Sequence, residues 1–109
     1  MAHTPYTRVA HLLSIPTSDL PIWQQRPTVT ATPTTLSGDP DQICSYGLTI
    51  AYRSGTGYMV YDDKNSATTN RHVSALKSVL EGQGYRPTDE TVPVKQGWDR
   101  YSTYRKYVK

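Results

Sequence analysis

The sequence predicts an α+β domain, in which a small antiparallel sheet carries one helix on a face. Two patterns predict this class: a run at 47–62 alternates apolar and polar residues around a pair of glycines, and apolar residues at 66–82 recur at helical spacing. With 109 residues the chain is long enough for one domain and a modest core. Because it has nine tyrosines and no phenylalanine, tyrosine has to supply most of the aromatic packing.

Residues 1–43 are predicted to be an extended N-terminal arm rich in proline and threonine. Six of the eight prolines lie there, a density that excludes a long helix. Within this arm, Ile22 and Trp23 are large apolar residues suited to anchor a protein interface. The stretch TVTATPTT at 28–35 is β-prone, but Pro33 restricts it to an edge strand or an extended linker. The arm is therefore either pinned loosely to the domain or contributes a first strand.

Residues 44–109 are predicted to form the α+β domain itself. The segment GLTIAYR alternates as a half-buried strand does, SGTG supplies a turn, and YMVYD returns as a second strand. This pattern predicts a hairpin over 47–62.

A helix is predicted over 66–82, followed by a short strand near 91–94. Val73, Leu76 and Leu80 lie on one helical face, and Ser66 or Thr68 can cap the first turn. Gly82 and Gly84 provide the left-handed conformations that end helices.

The C-terminal segment DRYSTYRKYVK is rich in tyrosine and cations. From Lys95 to Lys109 five cations face one carboxylate, a net charge of +4 in a chain of +3 overall. As a strand neither face would be apolar, so the pattern favours a helix with Trp98, Tyr101 and Val108 in one stripe. Its rings either pack on the sheet beside cations that reach into water, or stack on unpaired bases while the cations neutralise phosphates. The candidate nucleic-acid-binding residues are Arg100, Tyr101, Tyr104, Arg105, Lys106, Tyr107 and Lys109.

No catalytic or metal-binding pattern is found, so we expect no enzyme activity, no metal and no cofactor. The histidines and the single cysteine, Cys44, share no ligand spacing, and one cysteine cannot form an intramolecular disulfide. Asp62 and Asp63 are neighbours at a strand end, where adjacent side chains point to opposite faces. No local base activates Cys44 as a nucleophile.

The segment YMVYDDKNSATTNRHVSAL at 58–76 resembles small uncharacterised proteins encoded by bacteriophages and plasmids. The resemblance implies a phage or mobile-element context and no particular activity. In that context short proteins often bind host or phage macromolecules. We therefore expect a non-enzymatic protein that occupies a host or phage protein partner, with nucleic-acid binding through the C-terminus as the alternative.

The expected location is the cytoplasm of the host cell. No run of about 18 apolar residues and no signal-peptide pattern is present at the start of the sequence. We also expect that a homodimer can form, if the 28–35 edge and the predicted hairpin pair across a two-fold axis.

Overall fold

The computed structural model describes residues 6–25, 36–96 and 100–109. These residues form one antiparallel sheet of six strands in the order β1-β2-β3-β4-β6-β5, together with two α-helices. The predicted α+β class is confirmed. The helices are α1 (Tyr6–Leu12) and α2 (Ala67–Gly82), and two 3₁₀ turns lie at Thr17–Asp19 and Ile22–Gln24. The strands are β1 (Leu36–Asp39), β2 (Gln42–Ser45), β3 (Leu48–Ser54), β4 (Gly57–Tyr61), β5 (Arg86–Gln96) and β6 (Arg100–Val108).

Two-residue turns connect β2 to β3 and β3 to β4. Between Ser45 and Leu48 the turn residues Tyr46 and Gly47 have φ angles of 53° and 81°, as a type I′ turn requires. Gly55, with φ at 61°, opens the turn between β3 and β4. The predicted hairpin at 47–62 is thus confirmed.

The predicted helix is confirmed as α2, and it begins as its sequence indicates. The Ser66 side chain accepts a hydrogen bond from the Thr69 N–H at 3.3 Å, which satisfies one free amide of the first turn. Just beyond the helix, Gly84 has a φ of 97°. The buried stripe of α2 includes Val73, Leu76, Val79 and Leu80.

Helix α2 packs on one face of the sheet. Residues that pair across neighbouring strands share a face, which places Tyr58 and Tyr107 together. The Tyr58 ring contacts Tyr85, which follows α2, and this contact marks the helix face. Helix α1 contacts α2 and also β1, where Arg8 donates to the Leu36 carbonyl at 3.2 Å.

The C-terminal segment is strand β6, and the expected helix was wrong. β6 runs between β4 and β5, with Tyr107 opposite Tyr58 and Tyr104 opposite Tyr61. Tyr104 and Tyr107 lie on opposite faces of β6, and both are buried. A strand with one buried face alternates apolar and polar residues, but β6 buries tyrosines on both faces. Its sequence therefore lacks the alternation that would have indicated a strand.

The strand expected near 91–94 is longer than predicted, because β5 tolerates two prolines as an edge strand. Pro93 pairs with Thr103 of β6. The Thr103 carbonyl accepts a hydrogen bond from the Asp62 backbone N–H, which lies on the β4 side of β6. Pro93 and Thr103 therefore form a pair whose backbone polar groups point away from each other, so the missing N–H of Pro93 lies at the free edge. A break in register between Pro87 and Thr91 lets β5 continue past its first proline.

Part of the predicted arm is built into the domain. Val9 and Ala10 of α1 and Leu36 of β1 are buried in the core, and β2 crosses the expected boundary at residue 43. The stretch 28–35 lies outside the described residues. In the sheet, β3 and β4 each have a strand on both sides, so the predicted hairpin has no free edge with which to pair a second copy.

Candidate protein-binding surface

Two short proline-led turns follow α1 and set the shape of this surface. Proline fixes φ near −65°, and Pro16 and Pro21 each precede one of the 3₁₀ turns. Their carbonyls accept from the Asp19 N–H at 2.9 Å and from the Gln24 N–H at 2.8 Å, which closes each turn.

The second turn is held by buried residues on either side of an exposed apolar pair. Leu20 and Gln24 are buried, and the Gln25 side chain donates to the Leu20 carbonyl at 2.7 Å. Between them, Ile22 is 86% exposed and Trp23 is 59% exposed. Because these contacts hold the turn in place, Ile22 and Trp23 are exposed on an ordered turn. We call Ile22 and Trp23 the apolar pair.

The apolar pair has a defined aromatic neighbour and a buried amide beside it. The Trp23 ring meets the Tyr6 ring edge to face, with centroids 5.2 Å apart. In the described part of the chain, Oε1 of Gln24 is the one buried side-chain nitrogen or oxygen without a hydrogen bond. An unsatisfied buried polar atom costs about 1–3 kcal/mol of folding free energy. The Gln24 amide therefore destabilises the turn that carries the apolar pair.

The C-terminal candidates do not form one surface. Tyr104 and Tyr107 are buried and are not available to stack on bases in this fold. Arg105 is engaged by its neighbours, donating to Asp62 at 3.2 Å and to the Thr88 carbonyl at 2.8 Å. Three of the seven candidates are thus part of the packed structure.

The other four candidates remain at least partly accessible. Tyr101 is 64% exposed, Arg100 beside it is exposed, and Lys95 lies directly opposite Tyr101 on β5. Lys106 is half-buried, and the Lys109 ammonium lies 5.2 Å from the centre of the Tyr85 ring. Lys95, Arg100 and Tyr101 therefore lie together at one end of the two-stranded ribbon formed by β5 and β6, which we call the β5–β6 ribbon.

The two neighbouring aspartates are occupied by protein donors. Asp62 accepts from Lys77 at 3.3 Å and from Arg105 at 3.2 Å, and Asp63 accepts from the Thr103 N–H. These contacts connect the end of β4 to α2 and β6. Across residues 6–25, 36–96 and 100–109, no group of three or more histidine, cysteine or acidic side chains is arranged to hold a metal ion.

A buried polar cluster joins β2 to α2, and its residues lie far apart in the sequence. The Ser45 hydroxyl lies 2.7 Å from Nδ1 of His72 and 3.2 Å from the Thr69 hydroxyl. Burial lowers the pKa of His72 below its usual 6.5. A serine next to a histidine suggests a nucleophile, but Ser45 is fully buried and no substrate can reach it in this conformation. The one sequence signal is Tyr46, a bulky residue placed before glycine in a tight turn.

Among the described residues, no helix has both the length and the apolar character needed to cross a membrane.

The resemblance of residues 58–76 to phage and plasmid proteins stays a prediction. No protein-family model, no curated protein and no solved structure matches this chain.

Proposed function

We propose that this chain is a non-enzymatic binding protein that occupies a protein partner through the apolar pair, Ile22 and Trp23. The observation that carries the proposal is the exposure of both side chains on a turn that buried residues hold in place. Tryptophan is among the commonest residues at the energetic centre of protein interfaces. An ordered turn also loses little conformational freedom on binding, which favours affinity. A host or phage protein is the partner class that the resemblance of 58–76 implies.

The expected partner surface is an apolar pocket with a polar rim. Ile22 and Trp23 are consecutive exposed apolar residues of one turn, and the Tyr6 ring contacts the Trp23 ring edge to face. Burial of these two side chains in a partner is favourable because apolar surface leaves water.

Replacing Trp23 by alanine is expected to weaken partner binding at least about 30-fold, which corresponds to about 2 kcal/mol. A photoreactive amino acid placed at Ile22 would first capture the partner in the cell that carries the gene. Affinity of the purified partner would then be measured for the wild type, Ile22→Ala and Trp23→Ala by calorimetry.

Tyr101→Ala is the matched control, because Tyr101 is about as exposed as Trp23 but lies on β6. We expect it to retain wild-type affinity. Equal losses for Tyr101→Ala and Trp23→Ala, or no loss for Trp23→Ala, would contradict an interface centred on the apolar pair.

Nucleic-acid binding is the second candidate function, and we propose the β5–β6 ribbon as its surface. The observation that favours it is the exposed Tyr101 ring, with Lys95 directly opposite it on the same face of the ribbon. The exposed Arg100 precedes Tyr101 in β6 and projects from the other face. A ring with one cation on its own face and a second at the same level of the ribbon suits a base and its adjacent phosphates.

If the ribbon binds single strands, Lys95→Ala with Arg100→Ala removes about two phosphate contacts. The slope of log affinity against log salt should then flatten by about 1.4, since each phosphate contact contributes about 0.7. Fluorescence anisotropy with labelled single-stranded DNA and RNA at several salt concentrations measures this slope. Lys64→Ala removes an exposed lysine outside the ribbon and should leave the ribbon's contribution unchanged. An unchanged slope in the double variant would reject the ribbon as the contact.

A further inference from the structure

His72 lies beneath the turn that joins β2 to β3. Its Nδ1 is 2.7 Å from the Ser45 hydroxyl, and its ring is stacked with the Tyr46 ring at 6.4 Å and 22°. His72 is buried, whereas the Tyr46 side chain is 61% exposed. The turn is thus attached to α2 by a hydrogen bond and a ring contact to the imidazole, and by the contact of the Ser45 hydroxyl with Thr69 at 3.2 Å.

The attached turn is strained at Tyr46. Its φ of 53° lies in the left-handed region, which a bulky side chain rarely adopts and where asparagine or glycine is usual in this type of turn. A conformation of this kind persists only where surrounding contacts hold it. The contacts of Ser45 and Tyr46 with His72 are such contacts.

A chain of hydroxyl groups runs from the start of α2 to the imidazole. Ser66 donates to the Thr69 hydroxyl at 3.2 Å, and Thr69 lies 3.2 Å from the Ser45 hydroxyl, which reaches Nδ1. If each hydroxyl donates to the next, the last one donates to Nδ1, which has to be unprotonated to accept. A neutral His72 with its proton on Nε2 completes the chain. A protonated His72 turns Nδ1 into a donor, so the Ser45 hydroxyl has to accept from it and can no longer donate to it.

The surroundings of His72 disfavour its positive charge. The residue is in the second turn of α2, close to the positive end of the helix dipole. On α1, α2, β2 and β3, the one carboxylate is Glu81, at the far end of α2. The other ionisable groups on these elements and on the turn are Tyr6, Arg8, His11, Cys44, Tyr46, Tyr52, Arg53, Arg71 and Lys77. None of them is a carboxylate that could pair with an imidazolium.

We propose that His72 is a pH-sensitive latch: the neutral imidazole holds the Tyr46–Gly47 turn against α2, and protonation releases the turn. Release frees Tyr46 from its left-handed conformation and changes which face of its ring is exposed. The inference is independent of the apolar pair, since it rests on the β2–β3 turn and α2.

The direction of the pH effect follows from burial. Burial lowers the pKa of His72 in the folded protein below the value of 6.5 for a solvated histidine. The unfolded or released state therefore takes up the proton first as pH falls. The latch is fully closed above pH 6.5 and opens as pH falls through the lower pKa of the folded state.

An NMR titration of the full chain from pH 8 to pH 4.5 tests the latch directly. We expect the His72 ring signals to move with a midpoint below that of the same histidine in urea-unfolded protein. The Tyr46 ring and Gly47 amide signals should move with the His72 midpoint, and nuclear Overhauser contacts between the Tyr46 and His72 rings should be lost. A His72 midpoint at or above the unfolded value, or a turn that does not respond while His72 titrates, would overturn the proposal.

His72→Gln is the matched variant, because glutamine can hydrogen-bond to Ser45 but does not titrate in this range. In this variant we expect the Gly47 and Tyr46 signals to lose their pH response. A response that persists with the wild-type midpoint would show that another group drives it and would equally reject the latch. Because the wild-type titration alone is decisive, the test does not depend on the variant folding.

Discussion

Replacement of Tyr104 by alanine is expected to lower the free energy of unfolding by about 3–5 kcal/mol, the range for removing a large buried aromatic ring. Tyr104 is fully buried on β6, and its ring meets Tyr52 and Tyr61 edge to face at 5.5 and 5.6 Å. Its hydroxyl donates to the Thr49 carbonyl, so the side chain crosses from β6 to β3. Urea unfolding followed by tyrosine or tryptophan fluorescence measures the loss.

Two controls separate the ring, its hydroxyl and mere surface tyrosine. Tyr104→Phe keeps the ring but leaves the Thr49 carbonyl without this donor, and should cost about 1–2 kcal/mol. Tyr101→Ala removes an exposed ring of the same strand and should change stability by no more than about 0.5 kcal/mol. If Tyr104→Ala were as mild as Tyr101→Ala, Tyr104 would not be part of the core and would again be a candidate for stacking on bases.

The contrast between Tyr101 and Tyr104 explains why the C-terminal segment was misinterpreted from sequence. Both are tyrosines in the same strand, yet one is exposed and the other is fully buried. The burial of Tyr104 depends on the pairing of β6 with β4 and on the contact with Thr49 of β3, and these partners lie more than 40 positions away. No local pattern contains that information, because tyrosine is common at both solvent-exposed and buried positions.

Local patterns did predict the elements whose causes are local. Alternation around SGTG predicted β3 and β4, and the apolar spacing after Ser66 predicted α2 with its cap. For the candidate site, composition was enough to single out Ile22 and Trp23, and the structure places both at the surface. That they sit on a pinned turn follows from the burial of Leu20 and Gln24, which the sequence does not reveal.

The contact between Ser45 and His72 could not be predicted for the same reason as the burial of Tyr104. These residues are 27 positions apart and meet because α2 folds back over the β2–β3 turn. Each residue alone is ordinary for its element. Only the tertiary fold makes the pair a buried polar cluster with a titratable group.

Gly57→Ala is expected to destabilise the fold by at least about 2 kcal/mol. The sequence pattern SGTG predicts only that this glycine belongs to a turn. Gly57 is the first residue of β4, and a Cβ added there would lie 2.2 Å from the Tyr107 carbonyl oxygen of β6. Backbone of a central strand cannot move aside cheaply, so the clash must separate β4 from β6 or distort both. Thermal and urea unfolding both measure the effect.

Gly82→Ala is the control with the opposite expected sign. A Cβ at Gly82 meets nothing within 4 Å, and Gly82 ends α2 without a positive φ, so alanine should raise stability by about 0.4–1 kcal/mol. Opposite signs for the two substitutions would show that close approach of β6, and not loss of glycine as such, sets the cost at Gly57. If Gly57→Ala were also neutral or stabilising, β4 and β6 would not pair as closely as this fold requires, and the buried positions of Tyr58 and Tyr107 would be in doubt with them.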